Sequence, residues 1–370
     1  MRLGLLLAAL CLMVNLSVSG TALAEPYLAV QQGLKCMACH VNPTGGGMRN
    51  TFGQIWGQTG MPEKHVDTGE PWTGELARFL AIGGNLRANA TFTDTPHQRS
   101  LTAFDLDEAR VYLDVRAIPD RLSLYVDQRI APGGSINSEA YARLWFDNQR
   151  FHVKAGQLYL PYGIRLQDDT AFTRQVTGIN FATPDRGVEL GMETARWTTQ
   201  LAISNGTAGG AATPNGKQYS VRTEYVTPGW RAGASFNLND SAKGTDSAGV
   251  SIGKRQMQNI FAGVRTGPIA WLAEADYIID DTLVPRRKQA VGLLEANWRV
   301  RQGQNLKITA EYFDPDTSLS HDYQDRVSVV WEYTPIQFAQ VRVGVRNYDG
   351  IPQNDAQNRR LVFAQVNGYF

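Results

Sequence analysis

The chain has 370 residues, with 36 Lys and Arg against 35 Asp and Glu, a formal net charge of +1 and three cysteines. That balance gives no basis for a nucleic-acid partner, and three cysteines are too few for a disulfide-stapled secreted domain. Beyond residue 24 no stretch approaches the ~18 apolar residues of a membrane helix, which excludes a helical membrane protein but leaves a β-barrel open.

Residues 1–24 read as a secretory signal peptide. Arg2 supplies the positive start, residues 5–14 the apolar centre, and Ala22-Leu23-Ala24 a cleavage site. Cys11 lies inside this segment without a convincing lipoprotein box, and the mature chain is expected to start at Glu25. Removal takes Arg2 and no acid, leaving 35 residues of each sign. Only Cys36 and Cys39 then remain.

Residues 25–75 form the second predicted unit, a small α/loop monohaem cytochrome c segment. Cys36-Met37-Ala38-Cys39-His40 is C-x-x-C-H, the attachment pattern of a c-type haem. Each thiol is spaced to form a thioether to a haem vinyl group, and His40 follows as the proximal iron ligand. C-x-x-C also serves thiol–disulfide exchange, but no βαβ setting for that chemistry is visible here. One covalent haem c is the expected cofactor. Asn42-Pro43 and the run Gly45-Gly46-Gly47 predict a turn whose backbone can approach a flat ligand closely. Arg49 reads equally as the partner of a haem propionate or as a surface arginine. Phe52, Ile55 and Trp56 recur at helical spacing, either packing on the haem edge or capping the loop. The distal iron ligand stays open among Met48, Met61 and His65. A methionine would raise the haem potential relative to a second histidine. Pro62, Gly69 and Pro71 mark a linker.

Residues 76–370 predict an all-β, antiparallel outer-membrane barrel. Strand-length pieces alternate with a period of two: Leu122, Leu124 and Val126 oppose Ser123, Tyr125 and Asp127. Seven short connections, near residues 118–120, 147–149, 195–196, 227–229, 266–268, 301–303 and 334–336, alternate with eight long ones. Fifteen connections give about sixteen strands with both barrel ends on the short-turn, periplasmic side. Trp145, Trp197, Trp230, Trp271, Trp298 and Trp331 each sit beside a short turn, and all but Trp145 share the apolar parity, as in an aromatic girdle. The chain ends in Tyr369-Phe370 on a strand of the same parity, a terminal aromatic of the kind outer-membrane barrels carry.

The opposite parity is charged, with Arg110, Asp127, Arg143, Glu274, Lys307 and Arg342 among its residues. Mixed signs predict no strong ion selectivity. His152 faces inward near a short turn, to reach a haem at that mouth or to hydrogen-bond within the lumen. The longest connection, residues 159–186, either folds into the pore or lies outside as a partner surface.

This order of signal peptide, one C-x-x-C-H and a barrel of about sixteen strands resembles the fused monohaem cytochrome–porins of the bacterial outer membrane. Members of that family are implicated in oxidising extracellular ferrous iron. The likeness covers the whole chain in architecture and is tightest at residues 26–40, where Cys36, Cys39 and His40 carry over as haem-attachment residues. Its iron-oxidising branch has Pro-x-Phe-Ala-Arg-Gln ahead of the motif. Pro26-Tyr27-Leu28-Ala29-Val30-Gln31 keeps the proline, alanine and glutamine and lacks the phenylalanine and arginine. The resemblance implies an electron carrier in contact with outer-membrane lipid. It would link an extracellular donor or acceptor, ferrous iron included, to periplasmic cytochromes or other redox partners. The alternative is a diffusion porin whose haem-bearing segment is a plug or redox-sensing gate.

Overall fold

The computed structural model describes residues 25–179, 183–210, 216–241, 244–245 and 251–370. The expected signal peptide and Cys11 lie outside the described residues. Sixteen strands follow one another in sequence: β1 (Leu80–Asp94), β2 (Leu101–Ile118), β3 (Leu122–Ala131), β4 (Ile136–Phe146), β5 (Phe151–Leu158), β6 (Asp185–Glu193), β7 (Trp197–Ser204) and β8 (Gln218–Val226). The rest are β9 (Trp230–Asn239), β10 (Arg255–Thr266), β11 (Ile269–Asp280), β12 (Arg287–Arg301), β13 (Gln304–Asp314), β14 (Gln324–Ile336), β15 (Ala339–Asp349) and β16 (Arg360–Tyr369).

Each strand pairs antiparallel with its neighbours, and β16 returns to β1 with Tyr369 opposite Asn85 and Arg360 opposite Asp94. The barrel is therefore closed and has no free edge. The short and long connections fall where the alternation places them, with one exception. The strand pattern runs through Thr334-Pro335-Ile336, and the turn is Gln337-Phe338, with Phe338 at φ 69°. Pro335 is tolerated because the ladder skips there: register shifts between Tyr333 and Ile336. The turn Asp147-Asn148-Gln149 is tight because all three residues take positive φ, and Asp and Asn accept that conformation readily.

The two parities separate cleanly. Leu124, Leu144, Leu190, Leu201, Ile260 and Val343 are exposed on the outer wall, an apolar belt of the kind that lipid covers. Trp197, Trp230, Trp298 and Trp331 are exposed beside the short turns, and Trp197, Tyr225 and Trp230 form a ring row at 4.9 and 5.5 Å. Trp145 points inward, 4.6 Å from the His152 ring. With this apolar belt and girdle the chain is a bacterial outer-membrane barrel in contact with lipid.

The lumen is polar and its charges pair. Arg110 bridges Glu108 at 2.7 Å and Asp127 at 2.9 Å, and Glu332 lies 3.3 Å from Lys307 and 3.2 Å from Arg342. His152 is fully buried and bonds Glu189 at 3.0 Å, so the lumen hydrogen-bonding alternative describes it.

Two things occupy this lumen. From the short-turn mouth enters the segment ahead of the barrel, with helices α1 (Pro26–Gln32) and α2 (Thr51–Thr59). From the other side the connection after β5 folds inward. Its helix α3 (Phe172–Thr177) contacts β11, β12 and β13, and Tyr162 Oη donates to Asp276 at 2.9 Å. Of the two placements open for that loop, the inward one holds.

Candidate functional site

The N-terminal segment is pinned to several walls of the barrel. The Glu25 carboxylate meets Lys307 at 2.8 Å, and Tyr27 Oη donates to Glu332 at 2.9 Å. Arg265 donates to the Gln31 carbonyl at 2.8 Å. Lys35 reaches Glu193 at 2.6 Å and the carbonyls of Thr194 and Trp197 at 2.6 and 2.7 Å. Asn42 Nδ2 donates to both oxygens of Glu139, at 3.1 and 3.2 Å. These partners lie on β4, β6, β7, β10, β13 and β14 or at the turn between β6 and β7, so the barrel wall sets the plug's position.

Within the plug the C-x-x-C-H residues form a compact turn. Cys36–Ala38 is one turn of 3-10 helix, and the amides of Cys39 and His40 both donate to the Cys36 carbonyl, at 3.2 and 3.0 Å. That curl turns both thiols and the imidazole toward one side. Asn50 locks it from the next helix. Its Oδ1 caps α2 by accepting from Gly53 N at 2.9 Å, while its Nδ2 donates to the carbonyls of Met37 and Ala38. At Gly53 a Cβ would overlap the Cys39 carbonyl, so only glycine lets α2 seat on the motif. His40 and Arg49 pair as an antiparallel bridge, which closes residues 41–48 into a loop. Gly45, Gly46 and Gly47 all take positive φ there, at 86, 71 and 63°. A Cβ on Gly45 would stand 3.2 Å from Cys36 Cβ, and one on Gly47 2.5 Å from Tyr125 Oη. The triple glycine thus lets this loop pack closely on Cys36 and Tyr125.

Burial pushes the Cys39 thiol up to about 11. Burial, with Arg49 and Arg165 nearby, pushes the His40 imidazole down to about 3, so it is neutral and can act as a ligand. Its Nδ1 is buried without a well-formed hydrogen bond.

Cys36, Cys39 and His40 all border one cavity inside the barrel. Its walls include Leu28 and Ala29 of α1, Trp56 of α2, Phe261 and Leu272 of the barrel, and Ile164 of the inward loop. Arg165, Arg222, Arg231 and Lys35 join Glu25 and Glu224 in its charged lining, and Gly45 and Gly46 also border it. Two thiols, a neutral imidazole, apolar walls and guanidinium groups at one edge fit a covalently held porphyrin with acidic side chains. Cys36, Cys39 and His40 are the residues that could hold it.

None of the three distal candidates borders the cysteine cavity, and the three sit in different surroundings. Met48 is buried in a cluster with Tyr112, Tyr125, Tyr141 and Leu160, and its amide donates to Tyr125 Oη at 3.0 Å. It does not border the cysteine cavity. His65 is exposed at the mouth, its Nδ1 3.4 Å from the Gln58 carbonyl. Met61 is buried in the cluster that forms the cavity walls, with Leu28, Ile164, Phe261 and Leu272. Together with His40 it also borders a second cavity of about 960 Å³.

Arg49 and two of the three α2 residues sit away from the cysteine cavity. Arg49 lies outside the cysteine cavity; its guanidinium stacks 4.2 Å over the Tyr369 ring and faces the second cavity. The α2 triad does not form a buried face. Gly53, Gln54, Gly57 and Gln58 face inward, Trp56 packs on the cavity wall, and Phe52 and Ile55 are exposed. Flatness against Cys39, rather than hydrophobicity, decides which side of α2 is buried. Arg222, Arg231 and Glu139 carry no motif of their own, although Gln218, Ser220, Arg222 and Glu224 alternate against Tyr219, Val221, Thr223 and Tyr225. That alternation already places Arg222 in the lumen.

No family model matches the chain, and no curated relative does. Solved structures do. A loop-deletion form of the outer-membrane protein OmpT of Vibrio cholerae is 13% identical, with a TM-score of 0.61, covering 79% of this chain and 99% of that one. An anion-selective porin from Comamonas acidovorans gives 10% and 0.61, covering 79% and 99%. OprB of Pseudomonas putida gives 7% and 0.60, covering 79% and 94%. At such identities the likeness is one of fold: the chain has the closed sixteen-stranded architecture of outer-membrane porins.

Proposed function

We propose that the chain carries electrons across the outer membrane through one haem c, attached at Cys36 and Cys39 and ligated by His40, with Met61 as distal ligand. The observation that carries this reading is a largely apolar cavity in the lumen that both thiols and the imidazole border. When bound, the haem supplies a one-electron iron couple.

The chain's own residues do the remainder. Asn50 and Gly53 hold the C-x-x-C-H turn in its curl. Leu28, Trp56, Phe261 and Leu272 keep water from the cavity. The plug's anchors on the barrel wall fix the depth of the redox centre between the two mouths. Outside the membrane the partner is a one-electron donor or acceptor, and dissolved ferrous iron belongs to that class. At the short-turn mouth Phe52 and Ile55 of α2 are exposed beside the motif, where a periplasmic cytochrome would approach.

The test is expression with a haem-attachment system, followed by absorbance of the purified protein in detergent with and without ferrous iron. Covalent haem in the wild type and its loss in Cys36→Ser and Cys39→Ser are expected. Absence of covalent haem refutes the reading.

A second reading is a diffusion channel whose N-terminal segment is a plug. It is favoured by the porin architecture and by the second cavity, which Arg49, Arg87, Arg110 and Arg165 border. Steady single-channel conductance in a haem-free protein would support it.

A further inference from the structure

The cysteine cavity carries two arginines on its barrel wall, Arg222 on β8 and Arg231 on β9. They share one carboxylate: Glu224 lies 2.6 Å from Arg231 Nε and 3.3 Å from Arg222 Nη2. Two guanidinium groups and one carboxylate leave a positive charge on this wall. Arg231 is turned to the motif, its Nη2 3.7 Å from Cys36 Sγ.

Arg222 is held on three sides and unpartnered on the fourth. Its Nε donates to the Gly163 carbonyl at 2.9 Å, its Nη2 faces Glu224, and its plane lies 4.7 Å over the Phe261 ring. The side chain is only 3% exposed, yet Nη1 is buried with no partner. A buried guanidinium N–H without an acceptor is costly, and native interiors rarely keep one. The cavity beside it has apolar walls and no carboxylate other than Glu224 and Glu25, and Glu25 is engaged by Lys307 at 2.8 Å.

We infer that Arg222 anchors an acidic side chain of the group that Cys36 and Cys39 hold, a haem propionate, and this rests on the haem reading above. The planar fork of arginine suits a carboxylate. Its stacking on Phe261 and its bond to the inward loop pre-set that fork before the ligand arrives. Arg222 is thus a positioning residue, orienting the ring relative to the thioether edge. Its charge beside the ring favours the reduced, less positive iron.

The test uses the full-length protein matured with haem, comparing wild type, Arg222→Gln and Arg222→Lys. Covalent haem is measured by denaturing-gel haem stain, the midpoint potential by redox titration, and the propionate bending bands by resonance Raman. The glutamine variant is expected to carry full haem, to show shifted propionate bands, and to fall at least tenfold in its reduced-to-oxidised ratio at fixed poise, a drop of about 59 mV for one electron. The lysine variant, which keeps the charge but not the fork, should recover most of the potential and not the bands. Full haem with unchanged potential and bands in Arg222→Gln would overturn the assignment and leave the haem reading standing. A wild type without covalent haem is the separate failure of that reading. If the glutamine variant does not insert, the bands of the lysine variant decide.

Discussion

Glu139 on β4 joins three parts of the molecule, and its removal tests whether the plug is held as described. It is fully buried, accepts from Asn42 Nδ2 of the plug at 3.1 and 3.2 Å and from the Tyr159 amide of the inward loop at 3.0 Å, and lies 3.8 Å from Arg165. Glu139→Ala leaves the Asn42 amide and the Tyr159 N–H without acceptors, each costing ~1–3 kcal/mol when buried. Water from the lumen rehydrates part of this, so about 2–4 kcal/mol of plug and loop anchoring is lost, roughly 30- to 700-fold in the ratio of displaced to seated states. The closed ladder of sixteen strands does not depend on Glu139, so heat-modifiable migration of the barrel on gels should persist.

The assay is conductance in planar bilayers. Wild type is expected to stay in low-conductance states, and Glu139→Ala to show open events at least tenfold more often. Glu139→Gln, which keeps an acceptor oxygen, should lie between. An Asn42→Ala and Glu139→Ala double-mutant cycle should show coupling, because the two changes remove the same contact. A folded Glu139→Ala barrel with wild-type conductance would refute the idea that this junction seats the plug.

Other outcomes follow from the same contacts. Met61→Leu is expected to alter the haem absorbance and lower the midpoint potential, whereas Met48→Leu and His65→Ala leave both unchanged; ferric spectra and redox titration check this. Gly53→Ala gains ~0.5–1 kcal/mol of helix propensity but meets the Cys39 carbonyl, and overpacking at ~1–3 kcal/mol wins. Lower haem incorporation per barrel, read from the stained-gel ratio, is the expected result. Burial works against ionisation of Asp168 in the inward loop, but Arg346 and Arg326 hold its carboxyl well below the usual range. Its stabilising pairings are therefore complete above pH ~4, the ordinary carboxylate value, and are lost as pH falls below it. Asp168→Asn at neutral pH should mimic acid in raising protease cleavage of residues 159–184.

The barrel could be read from the chain because each of its determinants is local. Leu122 to Asp127 alternate, short turns recur, and tryptophans mark the boundary, so strand number, parity and girdle follow without any long-range contact. Where the ladder departs from a period of two, the reading slips. Pro335 sits in a skipped register, and the turn moves to Gln337-Phe338. The turn after the motif could also be anticipated, since three consecutive glycines favour left-handed backbone. What holds the plug could not. The partners of Glu25, Lys35 and Asn42 lie 282, 158 and 97 residues away, and polar lumen residues look alike in sequence whether they meet water or another side chain. Arg49 was the nearest arginine along the chain, but a bridge to His40 and the ring of Tyr369 direct it away from the cysteine cavity.

A gate and an insulated conduit make opposite demands on such a plug. A gate needs one hinge and one releasable contact. This segment is instead fixed at Glu25 to Lys307, at Gln31 to Arg265, at Lys35 to Glu193, at Asn42 to Glu139 and at Glu63 to the Thr334 carbonyl, around much of the barrel's circumference. Releasing any one leaves the other four, so displacement has to break them together, and buried charged pairs are expensive to break singly. Electron tunnelling makes the reverse demand, a centre whose depth and orientation do not fluctuate. A segment tied to five positions on the wall, with both thiols and the imidazole bordering one cavity, suits that demand better than it suits a moving stopper.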